Sequence, residues 1–353
     1  MTSAAEQLNR MLPGVSRTFA LTIPQLPADL RPGITNAYLL CRTADTIEDS
    51  ADLDPEAKSR HYRGLLQMLD GELAAEAFGR SLLSATHIPA PTERDLLRAM
   101  PVVVEAYGGL PEGQRRALRR CVGVMCAGME RFERMKNPTG LPDRSHFRDY
   151  CYVVAGVVGE FLTELFCQAD ATTASRRADL LQLAPGFGQG LQMTNILKDV
   201  WDDRQRGICW LPRDVFLDHG HRLGAGQAWH DDRRFQVAML ELVGIAHHHL
   251  RMALAYTQAI PTSQPGIRRF CAWAVGIALL TLQRIRRNPS FQASSEAKIS
   301  RRTLRAVIAG CNLSIHSNQL LDLGFRWAAR GLPLARAHTL PAIAARGGAM
   351  HAD

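Results

Sequence analysis

The residues best suited to chemistry lie in Tyr38-Leu-Leu-Cys-Arg42-Thr-Ala-Asp45-Thr-Ile-Glu48-Asp49. On a helix, Tyr38, Arg42, Asp45 and Asp49 fall at steps of four, three and four, so they share one stripe with Glu48 beside it. Carboxylates this dense repel one another unless a cation sits among them. Hard oxygen ligands with an arginine one turn away suit Mg²⁺ shared with a phosphorylated substrate. Taken alone, the same residues also fit a solvated acidic helix end. A second stretch, Gln192-Met-Thr-Asn195-Ile-Leu-Lys198-Asp199-Val-Trp-Asp202-Asp203-Arg204, repeats the design. Gln192, Asn195, Asp199 and Asp203 share a face, with Asp202 alongside. Two acidic faces opposed across a cavity can hold several Mg²⁺ ions and a diphosphate.

Such faces need long helices behind them. Ser16-Arg17-Thr18-Phe19-Ala20 can start a helix with Ser16 as its cap. Pro24, Pro27 and Pro32 then interrupt until the acidic helix, predicted over 33–50. Amphipathic helices are predicted over 54–76 and 92–107, and a long one runs from the Gly-rich turn at 108–113 to Met135. After a loop at 137–143 comes a helix over 144–169. Its Ala155, Gly156 and Gly159 permit close approach of either a neighbouring helix or a ligand chain. Pro185 is expected to break the next pattern, with Gly186, Gly188 and Gly190 leading into the second acidic helix. Residues 204–212 read as a basic flap over that helix end. Further helices are predicted at about 228–259, 265–288 and 300–330. There is no strand alternation and no fixed-period repeat. The expectation is one all-α domain over 16–333, after a loose lead-in of residues 1–15 and before a disordered tail of 334–353.

Composition narrows the function classes. With 353 residues and 46% hydrophobic content, the chain can bury one large core. Its net charge of +8 is compatible with nucleic acid, an anionic membrane surface or a polyphosphate substrate. No zinc-finger spacing or aromatic-interleaved basic stripe supports nucleic acid. The eight cysteines include no CxxC pair and read as reduced core thiols. His247-His248-His249 occupy adjacent helical positions and point in different directions, and His219 and His221 lack a ligand cage, so histidine metal binding is not expected. No signal peptide precedes the first helices, and the apolar run Cys271 to Leu282 is too short to span a bilayer. These features suggest a cytoplasmic protein, with peripheral contact at the inner face of a membrane left open.

In order along the chain, Ser16-Arg17-Thr18-Phe19, the Tyr38–Asp49 stretch, Tyr150–Gly159, and Gln192–Asp203 followed by Arg-Gly-x-x-Trp-Leu-Pro resemble the squalene/phytoene synthase family. Arg269-Phe270-Cys271-Ala272 and then Ala297-Lys298-Ile299 are similar to the squalene synthase branch, in particular its bacterial type. The resemblance implies an isoprenoid synthase fold with a central cavity. It also implies head-to-head condensation of two farnesyl diphosphates through presqualene diphosphate, and NADPH-dependent reduction to squalene. A phytoene or dehydrosqualene synthase without reduction, or a non-catalytic prenyl-lipid-binding relative, are the alternatives.

On this reading Asp45, Asp49, Asp199 and Asp203 hold Mg²⁺, with Glu48 a further or more distant ligand. Arg17, Tyr38, Arg42, Gln192, Asn195 and Phe270 meet the substrate, and Tyr150 handles the proton. Arg17, Arg42, Lys198 and Lys298 are the basic groups for NADPH, since no GxGxxG element exists. Val154, Val157, Phe161 and Leu191 fit either cavity wall or ordinary core. Ser50, Lys198 and Ser300 depart from the family pattern, which has an acidic residue, an arginine and a basic residue there.

Overall fold

The computed structural model describes residues 4–15, 17–224 and 229–335, without the side chains of Ala5 and Arg17. Ser16 and most of the expected tail, residues 336–353, lie outside the described residues. The described chain is all α. Its only bridge between extended segments pairs Leu141 with Pro212. The first half comprises α1 (Ala4–Val15), α2 (Arg17–Thr22), α3 (Arg31–Asp49), α4 (Pro55–Leu69), α5 (Ala75–Ala85), α6 (Pro91–Arg98), α7 (Met100–Gly108) and α8 (Glu112–Glu133). Next come α9 (Arg144–Cys151), a π-turn at Tyr152–Gly156, α10 (Val157–Ala169) and the short α11 (Ala171–Ala174). The rest is α12 (Arg177–Gln205), α13 (Arg213–Asp218), α14 (Arg233–Ala259), α15 (Pro265–Arg287), α16 (Ser294–Ala297), α17 (Arg301–Ser314) and α18 (Asn318–Ala328).

α12 is the axis of the fold. It packs α14 on one side and α10 with the π-turn on the other, and it also touches α15. Close packing is possible because the contacts are made by glycines. A Cβ on Gly188 would overlap the carbonyl oxygen of Ala155, and one on Gly159 would overlap that of Ala184. On the opposite side, Gly190 lies against the backbone of His249 and Leu250. The small residues of the 155–159 stretch therefore admit a neighbouring helix, which decides between the two sequence readings.

Several expectations change. Residues 4–15 are a helix, where a loose lead-in was expected, because Leu8 and Leu12 sit one turn apart and bury a stripe against α3 and α7. Pro185 does not break α12: it lies within the helix, flanked by buried Ala184, Gly186 and Phe187, so packing on both sides holds the backbone across the missing N–H. The 54–76 helix stops at Leu69, where Gly71 turns with φ +79°. The 92–107 helix divides at Ala99, two residues before Pro101. By length and composition alone, Arg144–Ala169 and Pro265–Arg287 could each cross a bilayer, but both are mostly buried here as core helices. The eight cysteines are all free thiols.

Candidate active site

α3 and α12 end side by side, and one side chain joins them. Arg206, just past the end of α12, bonds Asp49 Oδ1 of α3 at 2.7 Å and also bonds Asp203 Oδ1. The flap that carries Arg206 is fixed by backbone pairing with the 137–141 loop. The Cys209 amide donates to Asn137 O (3.0 Å), the Leu141 amide to Leu211 O (2.9 Å) and the Arg213 amide to Leu141 O (2.8 Å). Gly140 supports the pairing with φ +89°, and a Cβ there would meet the Leu211 carbonyl.

This pairing sets Trp210 flat on Tyr150, with ring centroids 3.9 Å apart and planes 11° apart. Phe132 meets the same ring edge-on at 5.3 Å. Tyr150 is 3% exposed, and its hydroxyl donates to Glu48, 3.3 Å from both carboxylate oxygens. Behind it the end of α3 is closed by two cations. Lys58 Nζ and Lys136 Nζ both donate to the Glu48 carbonyl, at 2.8 and 3.0 Å, and Glu133 balances them at 2.8 and 3.1 Å. Helix-end carbonyls lack intrahelical donors and attract positive charge, so this placement satisfies both needs.

The carboxylates are short of positive charge. Burial, with Asp49 and Asp45 nearby, pushes Glu48 up to about 8 despite Lys136. Asp45 rises to about 7, chiefly through burial, against the pull of Arg42 and with Asp49 and Glu93 adding to the rise. Its side chain keeps 36% of its surface, so water weakens that effect relative to Glu48. Asp203 rises to about 6, again by burial, with Arg206 opposing and Asp199 and Asp49 adding. Burial and the same acidic neighbours hold the Tyr150 phenol well above its ordinary value.

The expected site residues fall into groups. Asp49 and Asp203 meet through Arg206, Glu48 meets Tyr150, and Lys198 pairs with the adjacent Asp199 at 2.9 Å. Arg42 bonds Glu93 and lies 3.7 Å from Asp45. Tyr38 donates to the Val15 carbonyl at 2.9 Å and packs on Phe19 at 4.9 Å, and Phe19 in turn reaches buried Phe270 at 6.3 Å. Val157 and Phe161 are buried in the core. Asn195 and Lys298 are exposed, and Gln192 is half-buried.

Among the described residues, no three acidic, histidine or cysteine side chains converge as a ready metal cage. Mg²⁺ does not need one, since it is held by one or two carboxylates together with phosphate oxygens and waters. The paired acidic ends fit that requirement. The four basic candidates for NADPH form no common group: Arg42 and Lys198 are engaged by carboxylates, Lys298 stands apart, and Arg17 is not described beyond its backbone. Sequence reasoning did not single out Arg206, Trp210, Glu93, Lys58, Lys136 or Glu133. Only the first two carried a signal, as part of the basic flap.

The geometry has a counterpart among known proteins. The family model for squalene/phytoene synthase matches residues 12–303. The chain belongs to the squalene/phytoene synthase family. Among curated relatives, a squalene synthase of Schizosaccharomyces pombe is 27% identical over 286 residues, covering 79% of this chain and 59% of the relative. One from Gibberella zeae is 29% identical over 291 residues, covering 79% and 58%. The chain thus spans under two thirds of the length of these relatives. A solved structure of TcSQS with the ligand BPH1237 superposes with a TM-score of 0.73 at 21% identity, covering 93% of this chain and 98% of the other. A dehydrosqualene synthase in complex with ligand gives 0.62 at 21% identity, covering 87% and 95%. At that identity the likeness establishes the fold, that of the all-α isoprenoid synthases.

Proposed function

We propose that this protein condenses two farnesyl diphosphates head to head through presqualene diphosphate and then, with NADPH, reduces the product to squalene. The observation that carries the reading is the junction of the two acidic helix ends at Arg206, beside the buried Tyr150–Glu48 pair. Membership of the family and the named activity of the curated relatives support the substrate and product.

Asp45, Asp49, Asp199 and Asp203 would hold Mg²⁺, which when bound neutralises the leaving diphosphate. Arg206 and Arg42 supply fork-like donors to the diphosphate oxygens. Asp49 and Asp203, which Arg206 now holds, would then be free for the metal. Buried Phe270 with Phe19 and Tyr38 offers an apolar wall that keeps water from an allylic cation. Tyr150 stays a neutral phenol, so it is not a base by itself. It takes a proton at Oη only as it passes its own to Glu48, which can accept it only in its ionised form, reached in the unliganded protein as pH rises through about 8; both carboxylate oxygens lie 3.3 Å from the phenol. On this reading Glu48 serves Tyr150 ahead of the metal.

The reductive step rests on the activity of the relatives, because the basic candidates form no assembled phosphate site. Product analysis with farnesyl diphosphate and Mg²⁺ tests it. Squalene should appear with NADPH, and presqualene diphosphate or hydroxylated or dehydrogenated products without it. Conversion of geranylgeranyl diphosphate to phytoene, with NADPH making no difference on farnesyl diphosphate, would overturn the reading.

A further inference from the structure

α18 is apolar on two sides. Its inner stripe, Leu321, Phe325 and Ala329, is buried on the body of the protein. Leu320, Leu323 and Trp327, spaced three and four apart, form a second stripe on the opposite side. That stripe faces solvent, with Leu323 59% and Trp327 77% exposed. α17 adds one outward apolar residue to this surface. Its half-buried Leu304, Val307, Ile308 and Cys311 turn inward, whereas Leu313 is 80% exposed on the far side, along the line of Arg302 and Arg305. Both helices lie on α15 and touch each other, so their outward faces are those turned away from one common support.

The charge around these faces has one sign. Residues 301–335 contain Arg301, Arg302, Arg305, Arg326 and Arg330 against a single acid, Asp322. Asp322 pairs with Arg326 at 2.7 Å. The other four arginines are exposed and have no carboxylate partner among the described residues. Helical spacing places Arg326 along the edge of the Leu320–Leu323–Trp327 stripe, and Arg330 follows in the turn just past the helix end, its amide bonded to the Trp327 carbonyl.

We propose that the outer face of the α17–α18 hairpin docks on the surface of an anionic lipid bilayer. A tryptophan and leucines ringed by arginine is the pattern that lies in a membrane interface, where the indole sits at headgroup level and the guanidinium groups meet lipid phosphate. A second copy of the chain is a poorer occupant, because it would bring the same arginines against each other. The proposal is independent of which product the site makes.

Flotation of the full chain with vesicles tests it, using phosphatidylcholine alone and phosphatidylcholine mixed with phosphatidylglycerol. The protein should float with the anionic vesicles, float less with the neutral ones, and lose binding as salt is raised. Trp327→Ser with Leu323→Ser should lower partition about tenfold on anionic vesicles, the order expected for withdrawing a large apolar side chain from burial. Arg302→Gln, Arg305→Gln and Arg330→Gln together should cost about fivefold per charge, on anionic vesicles only. All five positions are on the surface, and an unchanged far-UV spectrum checks the fold. Three results would overturn the proposal: no flotation with anionic vesicles, equal flotation of wild type and variants, or a wild-type dimer that the Trp327/Leu323 variant converts to monomer.

Discussion

In chelator, the protein should lose stability as pH rises from 6.5 to 8.5, and Glu48 should be the main cause. Its carboxyl is 8% exposed and titrates at about 8 in the folded chain, against 4.5 as its ordinary value. A raised folded value means that the native state keeps a proton the unfolded chain has already released. The associated stability is fully present below about 4.5 and is lost as pH passes through 8. Integrating one such group between pH 6.5 and 8.5 gives a loss of about 2 kcal/mol. For a chain of this length that is a fall in Tm of roughly 3 °C, taking about 2 cal/mol/K of unfolding entropy per residue.

The lower limit of the scan matters because buried histidines act with the opposite sign. Burial depresses His249 to about 4 and also lowers His247, His248 and His61, so their contribution grows with pH through the ordinary histidine value of 6.5, offsets part of the fall up to about 7.5, and is complete above it. Differential scanning fluorimetry in EDTA measures the slope, with Glu48→Gln as the control that should flatten most of it. Mg²⁺ should raise Tm more at pH 8.5 than at 6.5, because the cation competes with fewer protons. A Tm in EDTA that is flat or rising between about pH 7.5 and 8.5, or an equal slope in Glu48→Gln, would refute the reasoning.

Two further outcomes are expected. Tyr150→Phe should retain substrate binding and lower turnover by about 10²–10⁴-fold, with about 1–3 kcal/mol of stability lost from the unpaired Glu48; a rate within about threefold of wild type would leave the phenol a packing role only. Gly188→Ala should destabilise the fold by about 3 kcal/mol or more, at or above the usual range for overpacking, because its Cβ meets a backbone oxygen and not a side chain that can move. Chemical denaturation measures it, and a loss below about 1 kcal/mol would contradict the close helix contact.

The acidic faces were legible because a spacing of three and four residues has one meaning on a helix, and α3 and α12 are helices throughout. The small residues at 155–159 announced a close contact, but their partner was hidden. Gly188 lies nearly thirty residues further on, beside a proline whose usual effect pointed to a broken helix. Arg206 and Trp210 both lay in a recognised flap. Their roles depend on how that flap pairs with the 137–141 loop, and backbone pairing across some seventy residues leaves no periodic mark in the sequence. Lys58, Lys136 and Glu133 were unreadable for the same reason, since Lys58 and Glu133 come from helices that carry no motif and Lys136 from the loop just after α8. Residues 4–15 were underread because two leucines make a short stripe, decisive only once α3 and α7 supply a surface.

The π-turn at Tyr152–Gly156 fixes a phase relation along one helical rod. In an unbroken α-helix Tyr150 and Gly159, nine residues apart, would point in opposite directions, since nine steps of about 100° leave a half turn. One extra residue taken into a turn winds everything beyond it back by about 100°. The phenol can therefore meet Glu48 while the glycine meets Ala184, with the two needs separated by an angle that no regular helix provides. The rod is cut like a key, with two bits at different settings. A chain one residue shorter at this turn would be a more regular helix that fits only one of its two locks.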